Sequence, residues 1–230
     1  KRHPAERRRV NTEPIPADRR ALRTPLTSII TYTDLLKQPD LGEEERNDYL
    51  AIIDRKSKRL KLLIDDLFEA SKMATGNIEL QKTKVDIIQL LQQALAEHDE
   101  KITESKLQFR FVHDESSLLA VVDGQKMWRV FDNLIGNILK YSLPGTRVYI
   151  GAKKKGSKIE ISFKNISQFE LGMNTDELFE RFKRGDRSRH TEGSGLGLAI
   201  AKSIIDLHGG EMDIEADGDL FKVTLLIDAA

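Results

Sequence analysis

The 230-residue sequence contains no cysteine, which excludes a disulfide framework, a thiolate nucleophile and a cysteine-based zinc site and suits a reducing compartment. It has no apolar run near the roughly 20 residues that a membrane-spanning helix needs, and no signal-peptide pattern opens it; a soluble, cytoplasmic chain is expected. Nor is one sign of charge in excess. Lys and Arg number 37 against 37 Asp and Glu, leaving no global field to draw the chain to nucleic acid or to a membrane surface. Aromatic residues make up only 6% of the sequence, and none lies in the basic stretch "KRHPAERRRVNTEPIPADRR" at positions 1–20, where stacking on bases would want them. No nucleic-acid partner is therefore expected.

The length suits one large domain or two ordinary ones. Positions 1–20, rich in charge and proline and poor in apolar residues, cannot offset their own ordering entropy and are expected to be a flexible lead. The sequence begins on Lys1 rather than Met, which suggests a piece of a longer protein. From Leu22, the positions Leu22, Leu26, Ile29, Thr33 and Leu36 alternate steps of four and three, the stripe of a helix seam. "KQPDLG" interrupts it, and Glu43, Glu44 and Glu45 then suit the first turn of a second helix, where the helix dipole favours negative charge. The second stripe runs Leu50, Ile53, Leu60, Ile64 and Leu67 and stops near Gly76. Such a hairpin, at 21–74, is too thin to bury both faces alone, so pairing with a second copy as a four-helix bundle is expected.

After a boundary between Met73 and Asn77 the periodicity changes. Strand-like alternation in "NIELQKTKV", "LQFRFV", "LLAVVD", "TRVYIGAKKK" and "KIEISFKN" is interleaved with helical patterns at 86–106, 125–142 and 197–208, and two strands close the chain. An α+β fold follows: a helical hairpin, then over 75–230 a sandwich of helices on one face of a mixed, largely antiparallel sheet. Asp86 is placed to cap its helix.

Two segments carry chemistry. In "MWRVFDNLIGNILKYS" the residues Met127, Val130, Phe131, Leu134 and Ile138 form an apolar face, while Asn133, Asn137, Lys140 and Tyr141 fall at i, i+4, i+7 and i+8 on another. That face could simply be solvated. It could also hold a phosphate-bound cation, since an amide oxygen is a neutral ligand suited to Mg²⁺ and an ammonium neutralises phosphate. In "TEGSGLGLAIAKSIIDLHGG", Gly193, Gly195 and Gly197 alternate just before a helical run. Backbone can approach a phosphate closely there, with free N–H groups beside a helix N-terminus, although a flexible hinge has the same composition. Neither a G-x-G-x-x-G nor a P-loop pattern is present.

Taken together, "NLIGNILKYS", "ELFERFKRG" and "GSGLGLAIAK" resemble the N-, F- and G2-boxes of the sensor histidine kinases, and "LRTPLTSIITYTDLL" with the second helix resembles their dimerisation and histidine-phosphotransfer hairpin. The resemblance covers about residues 20 to 228. It implies the ATP-binding sandwich shared with gyrase, Hsp90 and MutL. It implies ATP and Mg²⁺ as ligands, with Asn137 on the metal, Asn133 beside it facing the phosphates, Lys140 and Tyr141 on phosphate and adenine, and Gly193, Gly195, Leu196 and Gly197 around the nucleotide. The family's adenine-accepting Asp aligns with Asn165 in "SFKNIS", where an amide replaces the acid and the usual following glycines are missing. The stretch from Ile166 to Glu192 resembles the ATP lid, with Phe179 and Phe182 as apolar anchors, Gly185 as a flex point, and Arg184, Arg187 and Arg189 available to the γ-phosphate. The implied partners are a second copy of the chain and a response-regulator receiver domain, with the membrane reached only through upstream segments.

One element of the family pattern is missing. Where the family writes His, acid, two residues, Thr or Asn, and Pro, this sequence has Arg20, Ala21, Leu22, Arg23, Thr24 and Pro25. A guanidinium is always protonated and offers no lone pair, so phosphorylation at Arg20 is chemically excluded. His98 and His113 lie in the sandwich and His3 in the lead, none in the helical context required. Thr24, which in the family helps position water for dephosphorylation of the regulator, is retained. The vacancy is consistent with a foreign or misregistered lead joined before Leu22, with a degenerate kinase, or with a replacement that traps one state. Beside a histidine kinase, two further readings remain: a pseudokinase scaffold that uses ATP as a conformational ligand, and an ATPase of the related sandwich class in which Asp132 would activate water.

Overall fold

The computed structural model describes residues 16–74, 79–171 and 197–230, and the chain divides after Leu63 into two compact units. In the first, helix α1 spans Pro16–Leu35 and is followed by α2, Glu43–Ala74, whose later part lies in the second unit. Helix α1 thus begins four residues before Arg20, inside the stretch expected to be a flexible lead. Proline suits a first helical turn because the N–H it lacks would have no partner there. Pro25 sits within α1, where its missing N–H removes one rung of the helical ladder. At the other end of the loop, Gly42 donates its N–H to Glu45 Oε2 at 3.4 Å.

The buried or half-buried face of α1 runs through Leu22, Pro25, Ile29 and Tyr32 and continues into Leu36 of the following turn, and the Tyr32 and Tyr49 rings meet at 5.3 Å between centroids. This corrects the expected seam. Leu26 is 47% exposed, Leu50 50% and Ile64 37%, Thr33 is exposed with its hydroxyl on Ile29 O at 2.7 Å, and Ile30, outside the expected stripe, is 54% exposed. Pro25 takes the inner position, so Leu26, about 100° further round the helix, turns outward.

The second unit contains β1 (Thr83–Asp86), α3 (Ile87–Glu97), α4 (Asp99–Glu104), β2 (Gln108–His113), β3 (Leu119–Val122), α5 (Gly124–Tyr141), β4 (Arg147–Lys155), β5 (Lys158–Ile166), α6 (Gly197–Leu207), β6 (Glu211–Asp217) and β7 (Leu220–Asp228). Five strands form one sheet in the order β2-β4-β5-β7-β6, and β1 and β3 form a separate pair. Only β2 and β4 run parallel in the large sheet, as a mixed, largely antiparallel sheet requires. The small sheet is joined to the large one by a bridge from Ala120 to Ala229.

Alternation sets the two faces. Val148, Ile150 and Ala152 of β4, Ile159, Ile161 and Phe163 of β5, Met212 and Ile214 of β6, and Val223, Leu225 and Ile227 of β7 are buried in one core with the apolar faces of α3, α5 and α6. The outward positions are wet and divided by charge: Arg147, Lys153 and Lys155 on β4 against Glu211, Asp213, Glu215 and Asp217 on β6, all exposed. The Phe131 and Phe163 rings, 6.2 Å apart, fasten α5 to β5.

The single helix expected over 86–106 is broken at His98, which ends α3 and starts α4. Acidic residues at Asp99 and Glu100 favour a fresh helical start. Asp86 does cap α3, accepting from Ile88 N at 3.0 Å.

Candidate nucleotide site

Helix α5 carries most of the candidate residues, and its start is held from three sides. Asp123 Oδ1 accepts from Lys126 N at 3.1 Å as the N-cap. Its Oδ2 accepts from Gln81 N at 3.1 Å. Its own N–H donates to His208 Nε2 at 2.9 Å. His208, just past α6, donates from Nδ1 to Ile204 O at 2.8 Å, because Nε2 must keep its lone pair for Asp123. Burial, and after it the nearby charge of Lys82, pushes His208 below its ordinary value, against the raising effect of Ile204 O and of Asp123. The end of α6 is thereby tied to the beginning of α5.

With Met127, Val130, Phe131, Leu134, Ile135 and Ile138 buried in the core, Asn133 and Asn137 stand on the flank of α5, one turn apart. Asn133 Nδ2 and Asn137 Nδ2 are both buried without a hydrogen-bond partner among the described residues. A buried amide left unpaired is costly. Gly197, the first residue of α6, lies against Asn133: a Cβ there would stand 2.9 Å from Asn133 Oδ1 and 3.7 Å from its Cβ. Asn133 and Gly197, 64 positions apart in sequence, meet side chain to backbone, and any larger residue at 197 would push the Asn133 amide aside.

The other end of α5 is laced to the end of β5. Ser142 caps the helix in extended conformation, and Leu143 N donates to Ile166 O at 2.8 Å. Gln168 donates from N to Tyr141 O at 2.9 Å and from Nε2 to Lys140 O at 3.1 Å. Lys140 Nζ lies 4.6 Å from the centroid of the Tyr141 ring, so the ammonium and the phenol act as a cation-π pair. Asn165 donates from Nδ2 to Ser142 Oγ at 2.9 Å, while its Oδ1 is buried and has no partner among the described residues. Trp128 Nε1, Thr224 Oγ1 and His98 Nδ1 are also buried without a partner among the described residues. Trp128 shares α5 with the two asparagines; what distinguishes the amides is that Asn133 and Asn137 stand one turn apart on it and Asn165 is bonded to Ser142 at its end.

Thr24 is exposed on α1, its carbonyl accepting from Ser28 Oγ at 3.1 Å. Phe179, Phe182, Arg184, Gly185, Arg187, Arg189, Gly193, Gly195 and Leu196 lie outside the described residues. Asp132 is engaged elsewhere: its Oδ1 is 2.8 Å from His98 Nε2, which gives that carboxylate an anchoring role. Sequence reasoning missed Asp123, Ser142, Gln168 and His208. Asp123 carried a legible cap signal before Gly124. The others act through the contacts of strand ends with helix ends, which no local pattern encodes. Among the described residues no group of three or more His, Cys, Asp or Glu could hold a metal ion, so a cation here would depend on amides and on its own phosphate ligands. No described helix is long and apolar enough to cross a membrane.

Comparison with known proteins gives two family matches. Residues 19–76 match the His Kinase A (phospho-acceptor) domain. Residues 122–229 match the histidine kinase-, DNA gyrase B- and HSP90-like ATPase. The sensor protein VanSC of Enterococcus gallinarum is 38% identical over 209 residues, covering 89% of this chain and 57% of VanSC. VanS of Enterococcus faecium is 36% identical over 209 residues, covering 89% and 54%. The chain thus spans about half the length of the curated relatives it matches. Among solved structures, histidine kinase ThkA in complex with response regulator protein TrrA aligns with a TM-score of 0.74 at 22% identity, over 92% of this chain and 60% of that one. The Acinetobacter baumannii histidine kinase AdeS aligns with a TM-score of 0.68 at 19% identity, over 90% and 96%. At these identities the structures share the fold.

Proposed function

Since the chain belongs to the sensor histidine kinases of two-component systems, with a His Kinase A domain followed by a histidine kinase-type ATPase domain, we propose that it binds Mg-ATP between α5 and the start of α6, as the cytoplasmic core of a protein that transfers the γ-phosphoryl group to a helical histidine and on to a response-regulator aspartate. The observation that carries this reading is the pair of half-buried Asn133 and Asn137 side chains, whose Nδ2 atoms are buried with no partner among the described residues, with Gly197 packed against Asn133. A polar group in that condition is explained by a ligand that supplies its partner.

In this reading Asn137 holds Mg²⁺ through its amide oxygen. The ion, when bound, shields the charge of the phosphates. Asn133 faces the phosphates, Lys140 adds a positive charge, Tyr141 lines the base side, and Asn165 Oδ1 accepts from the base. Phe182, Arg184, Gly193, Gly195, Leu196 and Gly197 complete the enclosure. Catalysis in such transfer is mainly positioning and charge neutralisation, which fits a rail of neutral and cationic side chains along one helix. Receiver docking and Thr24-assisted dephosphorylation belong to the hairpin. Its exposed Leu26, Ile30 and Leu50 suit pairing with a second copy, and a membrane anchor would lie in other segments of the protein.

Arg20 favours a second reading of this chain, since it cannot accept a phosphoryl group: a hairpin scaffold that uses ATP as a conformational ligand. The ATPase reading loses support because Asp132 is bonded to His98. Incubation with γ-labelled ATP tests the scheme. Nucleotide binding without stable phosphoprotein is expected, with binding lost in Asn137→Ala. Acid-labile phosphate is expected once Arg20→His and Ala21→Glu are combined. Undiminished nucleotide affinity in Asn137→Ala would refute the site.

A further inference from the structure

Asn165 is only 4% exposed, and its amide is held on one side alone. Nδ2 donates to Ser142 Oγ at 2.9 Å, and Oδ1 meets no partner among the described residues. The anchor is a hydroxyl, which can accept or donate with equal ease. If the amide turns over about its terminal torsion, Oδ1 and Nδ2 exchange places, the Ser142 hydroxyl donates to Oδ1, and the bond to Ser142 survives. The group left without a partner among the described residues is then a donor instead of an acceptor. A carboxylate at this position would present acceptors only. The backbone around the pair is fixed in both cases, because Ser142 N donates to Ile138 O at 3.0 Å and Leu143 N to Ile166 O at 2.8 Å.

Resting on the nucleotide-binding reading of this site, we propose that Asn165 and Ser142 form a reversible base reader, so that the site takes 6-amino and 6-oxo purine triphosphates alike. Oδ1 accepts from an exocyclic amine in one orientation, and Nδ2 donates to a ring carbonyl in the other. Ser142 adjusts its hydroxyl to each. Discrimination at position 6 normally comes from a buried group that is left facing its own kind. An amide free to turn over removes that mismatch.

The test compares the affinities of the whole chain for Mg-ATP and Mg-ITP, by titration calorimetry, in the wild type and in Asn165→Asp. Inosine triphosphate differs from ATP at position 6 and in the proton on N1; comparing the two proteins isolates what residue 165 reads. The wild-type affinities are expected to lie within about fivefold of one another, and Asn165→Asp is expected to widen the ratio to about 50-fold by losing ITP, the span of one mismatched buried hydrogen bond. A wild type that rejects ITP as strongly as the variant, or a variant as permissive as the wild type, overturns the proposal while ATP binding stands. Failure of both triphosphates to bind the wild type overturns the nucleotide site itself. Should Asn165→Asp not fold, the wild-type ratio decides alone: below tenfold supports the reader, and about tenfold or more ends it.

Discussion

Two glycines on the helices of this site allow the same substitution to be tried in opposite surroundings. A Cβ at Gly197 would stand 2.9 Å from Asn133 Oδ1 and 3.5 Å from its Cγ, where non-bonded carbon-sized atoms rest at roughly 3.5 Å or more. Asn133 must therefore retreat by about 0.6 Å. Overpacking of this kind costs about 1–3 kcal/mol, and alanine returns about 0.5–1 kcal/mol in a helix. Gly197→Ala is expected to lose about 1 kcal/mol of stability in urea unfolding. Asn133 faces the phosphates in the proposed site, and losing one hydrogen bond to a charged group there should lower Mg-ATP affinity about tenfold. A Cβ at Gly136, between Asn133 and Asn137 on α5, meets nothing within 4 Å, so Gly136→Ala should gain about 0.5–1 kcal/mol and leave affinity within about twofold. Calorimetric titration and urea melts of both variants read these numbers. Wild-type affinity in Gly197→Ala, or an equal loss in Gly136→Ala, would refute the argument that close approach to Asn133 shapes the site.

Other expectations concern the supports. Asp123→Ala removes the cap of α5 and the acceptor for Gln81, and should cost about 2 kcal/mol in chemical denaturation; a loss under half of that would mean the helix start is held mainly by His208. His208 is depressed from 6.5, so the folded state binds fewer protons than the unfolded state. Its contribution is complete above about pH 6.5 and is lost as pH falls from there toward its lower folded value. His208→Gln, able to accept and donate at once, should flatten that part of the stability profile, and an unchanged profile would contradict the assignment. Ile30→Glu places a charge on the exposed stripe of α1 and should turn a dimer into a monomer in sedimentation equilibrium, whereas a dimer that persists would move the interface elsewhere.

Much of this was legible beforehand because apolar periodicity reports burial. The face of α5, the helix at α6 and the alternation of β4 and β5 follow from it, and the Asp86 cap follows from a short carboxylate placed just before a helical run. The hairpin seam went partly astray at Leu26 and Thr33 because Pro25 is apolar in packing but invisible to a stripe sought among aliphatic side chains. The break at His98 was hidden for a related reason: a long helical pattern continues across it, and the contact that fixes it, His98 to Asp132, spans 34 positions. The site itself was readable as residue types. Its closures, Asn165 on Ser142 and Gln168 on Lys140 and Tyr141, come from where β5 ends beside α5, a consequence of sheet order.

The partition of charge across the outer sheet gives that face a basic edge and an acidic edge, each offset in part by pairs with the strands between them: Lys153 and Lys155 with Glu160, Glu211 with Lys158, and Glu215 with Lys222. Basic β4 and acidic β6 lie on opposite sides of β5 and β7, so two copies can attract head against tail despite having no net charge to repel or draw them. Such attraction fades as ions crowd in, with a screening length of about 10 Å at 0.1 M salt. Turbidity of concentrated solutions should therefore clear, not deepen, as modest salt is added.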